Sequence, residues 1–163
     1  MCVENLRNNS LFMKERAKRL RILIYDPDEG SREFLSEALM KDHEVVSVQP
    51  KKGELRVYLD IRGYDILIID PENEEIKELL HRVCKHYSDE KFWLIVTSDK
   101  DETQLGIKDL REMKKNRLFF VPKPYDLDII EKTVNQIVQW KTNEIGVSKR
   151  FARKLARLLG IKN

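Results

Sequence analysis

The stretch Gly63-Tyr64-Asp65-Ile66-Leu67-Ile68-Ile69-Asp70-Pro71 decides the predicted fold of this chain. Its centre holds four consecutive large aliphatic residues between two aspartates. A run that is so short, apolar on both faces and rich in isoleucine is typical of a strand buried on both sides of a parallel sheet. Ligands of open α/β sheets collect at the carboxyl ends of the strands, where Asp70 lies, so Asp70 is a candidate site residue.

Four further runs predict the other strands of the same sheet. They are residues 21–25, 43–48, 92–96 and 118–121, of which the second is the weakest and fits a sheet edge. Between and after the strands, apolar residues recur at helical spacing and predict helices around 34–39, 55–61, 76–83, 105–113 and 127–138. This alternation, repeated five times, predicts an α/β fold with a doubly wound five-stranded parallel sheet, (βα)5.

Composition places the chain among charged proteins without a membrane span. Charged residues make up 36% of its 163 residues, and the mean hydropathy is −0.54. No apolar run approaches the roughly 20 residues of a membrane-spanning helix. Met1–Ser10 lacks the apolar core of a secretory signal, and two cysteines make no disulfide framework. We therefore expect a cytoplasmic protein.

Charge divides the chain into three predicted parts. The basic N-terminal extension covers residues 1–20, the domain covers residues 21–140, and a basic amphipathic helix covers residues 141–163. We expect Gly146 to break the chain before this last helix. Its basic face is a candidate contact for nucleic acid, a membrane surface or a protein partner, and consists of Arg150, Arg153, Lys154 and Arg157. Its apolar face could instead pack on the domain or on a second copy in a homodimer.

The predicted strand ends bring a set of chemically useful side chains to one edge of the sheet. Right-handed crossovers place the ends of all five strands together. Paired carboxylates are suited to hold Mg²⁺, and one carboxylate can act as a nucleophile toward a phosphoryl donor. A hydroxyl and an ammonium can bind the phosphoryl oxygens. The residues in these positions are Asp26, Asp28, Asp70, Thr97 and Lys123.

Residues 21–140 resemble a response-regulator receiver domain in four separate pieces. The pieces are Ile22–Asp26 with Arg32 downstream, Tyr64–Asp70, Ile95–Ser98 and Phe120–Tyr125. The resemblance implies a flavodoxin-like fold and a cis peptide bond before Pro124.

The same resemblance implies a role for each candidate residue. Asp70 would be the phosphoacceptor, Asp26 and Asp70 would hold Mg²⁺ with Asp28 as a further ligand within reach, and Thr97 and Lys123 would bind the phosphoryl group. Phe120 matches the aromatic switch position. The implied function is signal relay in a two-component phosphorelay, with a histidine kinase or phosphotransfer protein as donor and a protein as downstream target. Self-phosphorylation and dephosphorylation at Asp70 would be the extent of its enzymatic activity.

The sequence departs from the receiver pattern at the predicted metal site. Pro27 stands where receivers usually carry a second acid that ligates the metal directly. Asp28 could replace this ligand or could cap the following helix. Glu72 adds negative charge near Asp70. We therefore expect an atypical receiver, which either accepts a phosphoryl group on Asp70 or acts through protein contacts around helix four, strand five and helix five without phosphorylation.

Other interpretations of the same residues remain open. Asp70 could simply pair with Lys123, Thr97 could cap a helix, and Phe120 could be an ordinary core residue. Asp26-Pro27-Asp28 also resembles the first motif of haloacid-dehalogenase-type phosphatases, in which Asp26 would be the nucleophile and Asp28 the acid and base. A third alternative is a nucleic-acid-binding regulator that uses the basic arms.

Overall fold

The structure is a computed structural model that describes residues 19–49, 63–86, 92–100, 104–105 and 117–158. In the helical segments 84–86 and 144–158, only the backbone is described. The chain divides into two compact units. The first comprises residues 19–131, and the described part of the second is a helical segment, residues 132–158.

The first unit is built on a five-stranded parallel sheet. Its strands are β1 (Arg21–Tyr25), β2 (Glu44–Val48), β3 (Ile66–Ile69), β4 (Trp93–Ser98) and β5 (Leu118–Pro122). They lie in the order β2-β1-β3-β4-β5, and every neighbouring pair is parallel. This order is that of the doubly wound, flavodoxin-like sheet, which confirms the predicted fold class. The prediction that the second strand lies at an edge is also confirmed.

The central strands are buried as their composition predicts. Every residue of β3 and β4 is buried, because both faces of these strands are covered. β2 and β5 form the two edges and are only partly buried. The core therefore lies along the middle of the sheet, and the strand ends at its carboxyl edge come directly out of that core.

Three helices are described, α1 (Glu29–Leu39), α2 (Glu74–His86) and α3 (Leu127–Leu158). Oδ1 of Asp28 accepts a hydrogen bond of 2.7 Å from the backbone N–H of Ser31, which confirms that Asp28 caps α1. Asn73 caps α2 in the same way, with 2.9 Å from its Oδ1 to the backbone nitrogen of Ile76. None of the described helices is both long and apolar enough to cross a membrane.

The predicted helix break at Gly146 is wrong, because α3 continues through this residue to Leu158. An interior glycine costs a helix only about 1 kcal/mol relative to alanine, so it does not by itself end a helix whose neighbours favour the helical state. The predicted helix around 55–61 lies outside the described residues, as does that around 105–113 except for Leu105. The same holds for the N-terminal extension apart from its last two residues.

Candidate functional site

The register of the sheet brings Asp26, Asp70 and Thr97 side by side. Tyr25 pairs with Ile69, and Ile69 pairs with Val96, so the next residue on each strand lies at the same level. Asp26 is 1% exposed, Asp70 is 3% exposed and Thr97 is fully buried. The structure therefore places three of the predicted site residues at one edge of the sheet.

Lys123 brings a positive charge to the two carboxylates. It follows β5 directly, and its backbone N–H donates a hydrogen bond of 2.7 Å to the carbonyl of Ser98. Its ammonium lies 3.0 Å from Oδ2 of Asp26 and also contacts Oδ2 of Asp70. The next bond, Lys123–Pro124, is cis, as the sequence resemblance implies. One lysine thus neutralises charge on two strand ends.

Tyr125 is a fourth member of this group, which we call the acid cluster (Asp26, Asp70, Lys123 and Tyr125). Its hydroxyl donates a hydrogen bond of 2.6 Å to Oδ2 of Asp26, although 99 positions separate the two residues. The other oxygen, Oδ1, accepts the backbone N–H of Asp28 at 2.8 Å. Both carboxylate oxygens of Asp26 are therefore occupied by donors from the chain itself.

Arg32 holds the turn between β1 and α1 under the acid cluster. It is 8% exposed, and its Nη1 donates hydrogen bonds of 2.7 Å to the carbonyl of Asp26 and 2.9 Å to the carbonyl of Pro27. These bonds satisfy two backbone acceptors and fix the turn beside the cluster. They also bring a second cation close to it.

Burial and hydrogen bonding shift the pKa values of the acid cluster. Burial raises the pKa of Asp70 above its ordinary value, although the hydrogen bond and charge of Lys123 oppose the rise. Burial acts to lower the pKa of Lys123, but its hydrogen bonds to Asp70, Asp26 and Tyr125 raise that pKa overall. Burial, followed by the hydrogen bond to Asp26, raises the pKa of Tyr125 to about 12. At neutral pH Lys123 is therefore charged and Tyr125 keeps its proton.

The contacts of Thr97 and Phe120 do not follow from their spacing in the sequence. The hydroxyl of Thr97 donates a hydrogen bond of 3.3 Å to the carbonyl of Ile69, so it ties β4 to β3. Phe120 is partly buried and packs against the hydrophobic core. Their predicted roles in phosphoryl binding and switching stay predictions.

An open cavity of about 630 Å³ lies above the acid cluster. Asp70, Lys123 and Tyr125 line it, whereas Asp26 and Thr97 do not. The remaining lining residues include three exposed acids and the ring of an exposed phenylalanine, and they are Asp28, Gly30, Ser31, Phe34, Glu72, Asp99 and Pro124. A small ligand could thus reach Asp70 but not Asp26, which does not line the cavity and is 1% exposed.

The donor atoms around the cluster do not fit the divalent cation that the receiver resemblance implies. Mg²⁺ requires near-octahedral coordination by oxygen. Pro27 offers no side-chain ligand, Oδ1 of Asp28 caps α1, and both oxygens of Asp26 accept hydrogen bonds. Over the described part of the chain, no group of three or more His, Cys, Asp or Glu side chains is placed to hold a metal ion. The predicted magnesium site remains a prediction that this geometry does not favour.

Comparison with solved structures identifies the fold. A response regulator from Thermotoga maritima matches with a TM-score of 0.58 and 20% identity, over 74% of this chain and 98% of its own. The receiver domain of the Francisella response regulator 1452 matches with a TM-score of 0.57 and 20% identity over the same shares. The chemotaxis response regulator CheY4 of Vibrio cholerae matches with a TM-score of 0.57 and 15% identity, over 73% and 98%.

The sequence comparisons, unlike the structural ones, find no similar protein. No protein-family model matches the chain, and a search of curated proteins finds no match. The fold is that of response-regulator receiver domains, with the strand order described above.

Proposed function

We propose that this protein is a receiver-type signalling module that acts through protein contacts and does not accept a phosphoryl group on Asp70. The observation that carries the proposal is the ammonium of Lys123, which binds the carboxylates of Asp70 and Asp26 together. Solved structures with this fold include response regulators, which supports a role in signal transduction. The module itself is not an enzyme in this proposal.

The charges around Asp70 support a phosphorylation-independent module. Phosphoryl transfer depends on positive charge, usually from metal ions, that neutralises the transferred group. Here Lys123 already pairs with Asp26 as well as with Asp70. The negative charge of Glu72 also disfavours further negative charge on Asp70, whose pKa it raises. Among the described residues of the acid cluster, an incoming phosphoryl group would therefore meet no positive charge that is not already paired.

The contact surface that we propose includes β5 and the first turn of α3, which belong to the face expected from the sequence. Phe120 on β5 is only partly buried, and Ile129 in the first turn of α3 is 43% exposed. These two partly exposed apolar side chains are the ones that we propose this face offers to a protein partner. The partner would be a downstream protein rather than a histidine kinase.

The phosphatase and nucleic-acid alternatives receive no support from the described residues. A phosphatase nucleophile must reach its substrate, but Asp26 is 1% exposed and does not line the cavity. Asp28, the proposed acid and base, is committed to capping α1. The nucleic-acid alternative depends on basic residues of α3 whose side chains lie outside the described part of the chain, so it stays a prediction from sequence.

The proposal is tested by incubating the chain with acetyl phosphate and Mg²⁺ and measuring its intact mass. The Asp70→Asn variant serves as the matched control, and a receiver that accepts a phosphoryl group under the same conditions serves as the positive control. We expect no phosphoryl adduct on the wild type. An adduct that appears on the wild type and is absent from Asp70→Asn would contradict the proposal.

A further inference from the structure

We propose that the hydroxyl of Tyr125 is a positioning group that, with Lys123, holds Asp26 in an arrangement that excludes divalent cations. The inference rests on the proposed function, because it explains how the acid cluster keeps its form without metal. It goes further by assigning a specific role to a residue outside the predicted site. It also makes cation exclusion a property that one hydroxyl group controls.

The hydrogen bonds of Asp26 show that its carboxylate is satisfied by the chain. Oδ2 accepts the hydroxyl of Tyr125 at 2.6 Å and lies 3.0 Å from the ammonium of Lys123, while Oδ1 accepts the N–H of Asp28 at 2.8 Å. An ionised carboxylate offers about four acceptor positions, so three of them are in use. A buried carboxylate with these donors does not need a metal ion for its solvation.

The ring and the hydroxyl of Tyr125 make different contacts, so the hydroxyl can be removed while the ring stays. The ring lies beside Lys123, whose ammonium is 5.3 Å from the ring centroid, and the hydroxyl reaches past it to Asp26. Phenylalanine would keep the ring and its contact with the ammonium. The Tyr125→Phe change therefore removes the hydroxyl donor from Asp26 and leaves the surrounding packing in place.

A divalent cation would have to compete with these donors for the same oxygens. To use Oδ2 of Asp26, the ion would displace the hydroxyl of Tyr125 and approach the ammonium of Lys123 against charge repulsion, and at Oδ1 it would compete with the N–H of Asp28. The neighbouring Pro27 supplies no oxygen from its side chain to compensate. A cation that must first break this hydrogen bond to a charged carboxylate has an association constant lower by roughly tenfold or more.

A double-mutant cycle on the full chain, with Mn²⁺ as the probe, tests this role. Pro27→Asp supplies the missing carboxylate, Tyr125→Phe removes the hydroxyl, and the two changes are made singly and together. Tyr64→Phe combined with Pro27→Asp is the matched control, because the ring of Tyr64 also faces a cation, at 5.2 Å from Arg21. Calorimetry gives each dissociation constant, and circular dichroism establishes that each variant is folded.

The cycle has a definite expected outcome. We expect the wild type to bind no Mn²⁺ at millimolar concentration and Pro27→Asp to bind it weakly. Pro27→Asp/Tyr125→Phe should bind at least about tenfold more tightly than Pro27→Asp, whereas Pro27→Asp/Tyr64→Phe should match Pro27→Asp. Equal affinity of Pro27→Asp with and without Tyr125→Phe, including no binding by either, would overturn the proposal. Binding by the wild type that Asp26→Asn abolishes would overturn it as well.

A second measurement does not depend on the folding of any Pro27 variant. Nuclear magnetic resonance of the tyrosine ring carbons follows the ionisation of Tyr125 individually, and the wild type should show a pKa of about 12. Asp26→Asn should move that pKa toward the ordinary value, because the neighbouring negative charge is gone. A Tyr125 pKa that Asp26→Asn leaves unchanged would show that burial alone raises it and that the hydroxyl is not bonded to Asp26, which would overturn the proposal. A phosphoryl adduct on Asp70, in a protein whose Mn²⁺ affinities follow the expected pattern, would contradict only the proposed function.

Discussion

The ammonium of Lys123 lies 3.0 Å from Oδ2 of Asp26 and also contacts Oδ2 of Asp70, so one side chain after β5 joins the ends of β1 and β3. Both carboxylates are buried, and the lysine side chain is only 18% exposed. Removal of this cation would leave two buried negative charges facing each other. We therefore expect removal of Lys123 to destabilise the protein more than removal of either aspartate.

Lys123→Met should destabilise the protein by about 3 kcal/mol, since it leaves buried carboxylates without their cation. Lys100→Met is the matched control, because Lys100 is exposed and its change should stay within about 0.5 kcal/mol. Urea unfolding at pH 7, followed by circular dichroism, measures both. Equal stability of the two variants would show that Lys123 does not neutralise the cluster.

Asp70→Asn should raise the free energy of unfolding at neutral pH relative to the wild type. Burial raises the pKa of Asp70 in the folded state, so folding favours its protonated form. The wild type therefore loses stability as pH rises from the unfolded-state pKa of Asp70 through its folded-state pKa, and asparagine avoids this loss. The free energy of unfolding, measured at several pH values, should be slightly higher for the variant than for the wild type in acid, and the difference should reach its full size at neutral pH. An advantage that is largest in acid would contradict this account.

His43 should make stability sensitive to mild acid. It is 7% exposed, and its Nδ1 accepts the backbone N–H of Leu20 at 3.4 Å. Burial lowers its pKa below the ordinary value, opposed by Asp42 and assisted by Arg19. The unfolded chain therefore takes up the proton first, and stability falls as pH drops from 6.5 through the lower pKa of the folded state.

His43→Asn tests this acid sensitivity, because its amide oxygen can accept the same backbone N–H but does not titrate. Thermal unfolding of both proteins between pH 8 and pH 5 gives the comparison. The melting temperature of the wild type should fall more steeply below pH 6.5 than that of the variant. Parallel curves would show that His43 does not control the acid response.

Gly146→Ala should stabilise α3, since this glycine lies inside a continuous helix. The expected gain in helix stability is about 1 kcal/mol, because alanine loses less backbone entropy than glycine. Ala152→Gly, at another interior position of α3, should produce a loss of the same size. Thermal unfolding monitored by circular dichroism at 222 nm measures both changes. A stabilising Ala152→Gly or a destabilising Gly146→Ala would contradict the continuous helix.

The sheet could be predicted from sequence because its central strands are encoded locally. The four aliphatic residues of β3 allow no amphipathic alternative, and the predicted strands 21–25 and 66–69 coincide with β1 and β3. Parallel strands also place their carboxyl ends together, so Asp26, Asp70 and Lys123 could be grouped before any geometry was known. The positions of the strands in the sequence therefore determine which residues lie next to each other.

The contacts made by each side chain could not be predicted in the same way. Tyr125 reaches Asp26 across 99 positions, and no local pattern marks a tyrosine after Lys-Pro as a donor to that carboxylate. The spacing predicts that Thr97 lies beside Asp70, and the sheet register places it there, but its hydroxyl donates to the carbonyl of Ile69. The predicted helix break at Gly146 is wrong for the opposite reason. Glycine disfavours the helix at its own position, but the residues around it favour the helix more strongly.

The claim that the acid cluster is complete without metal or phosphate is tested most directly by nuclear magnetic resonance of the backbone amides. Mg²⁺ and beryllium fluoride, which mimics a phosphoryl group on aspartate, are added to the full chain and to Asp70→Asn. The account predicts that the amide signals of Asp70, Thr97 and Phe120 keep their positions in both proteins. A second set of signals for these residues in the wild type, absent from Asp70→Asn, would contradict it.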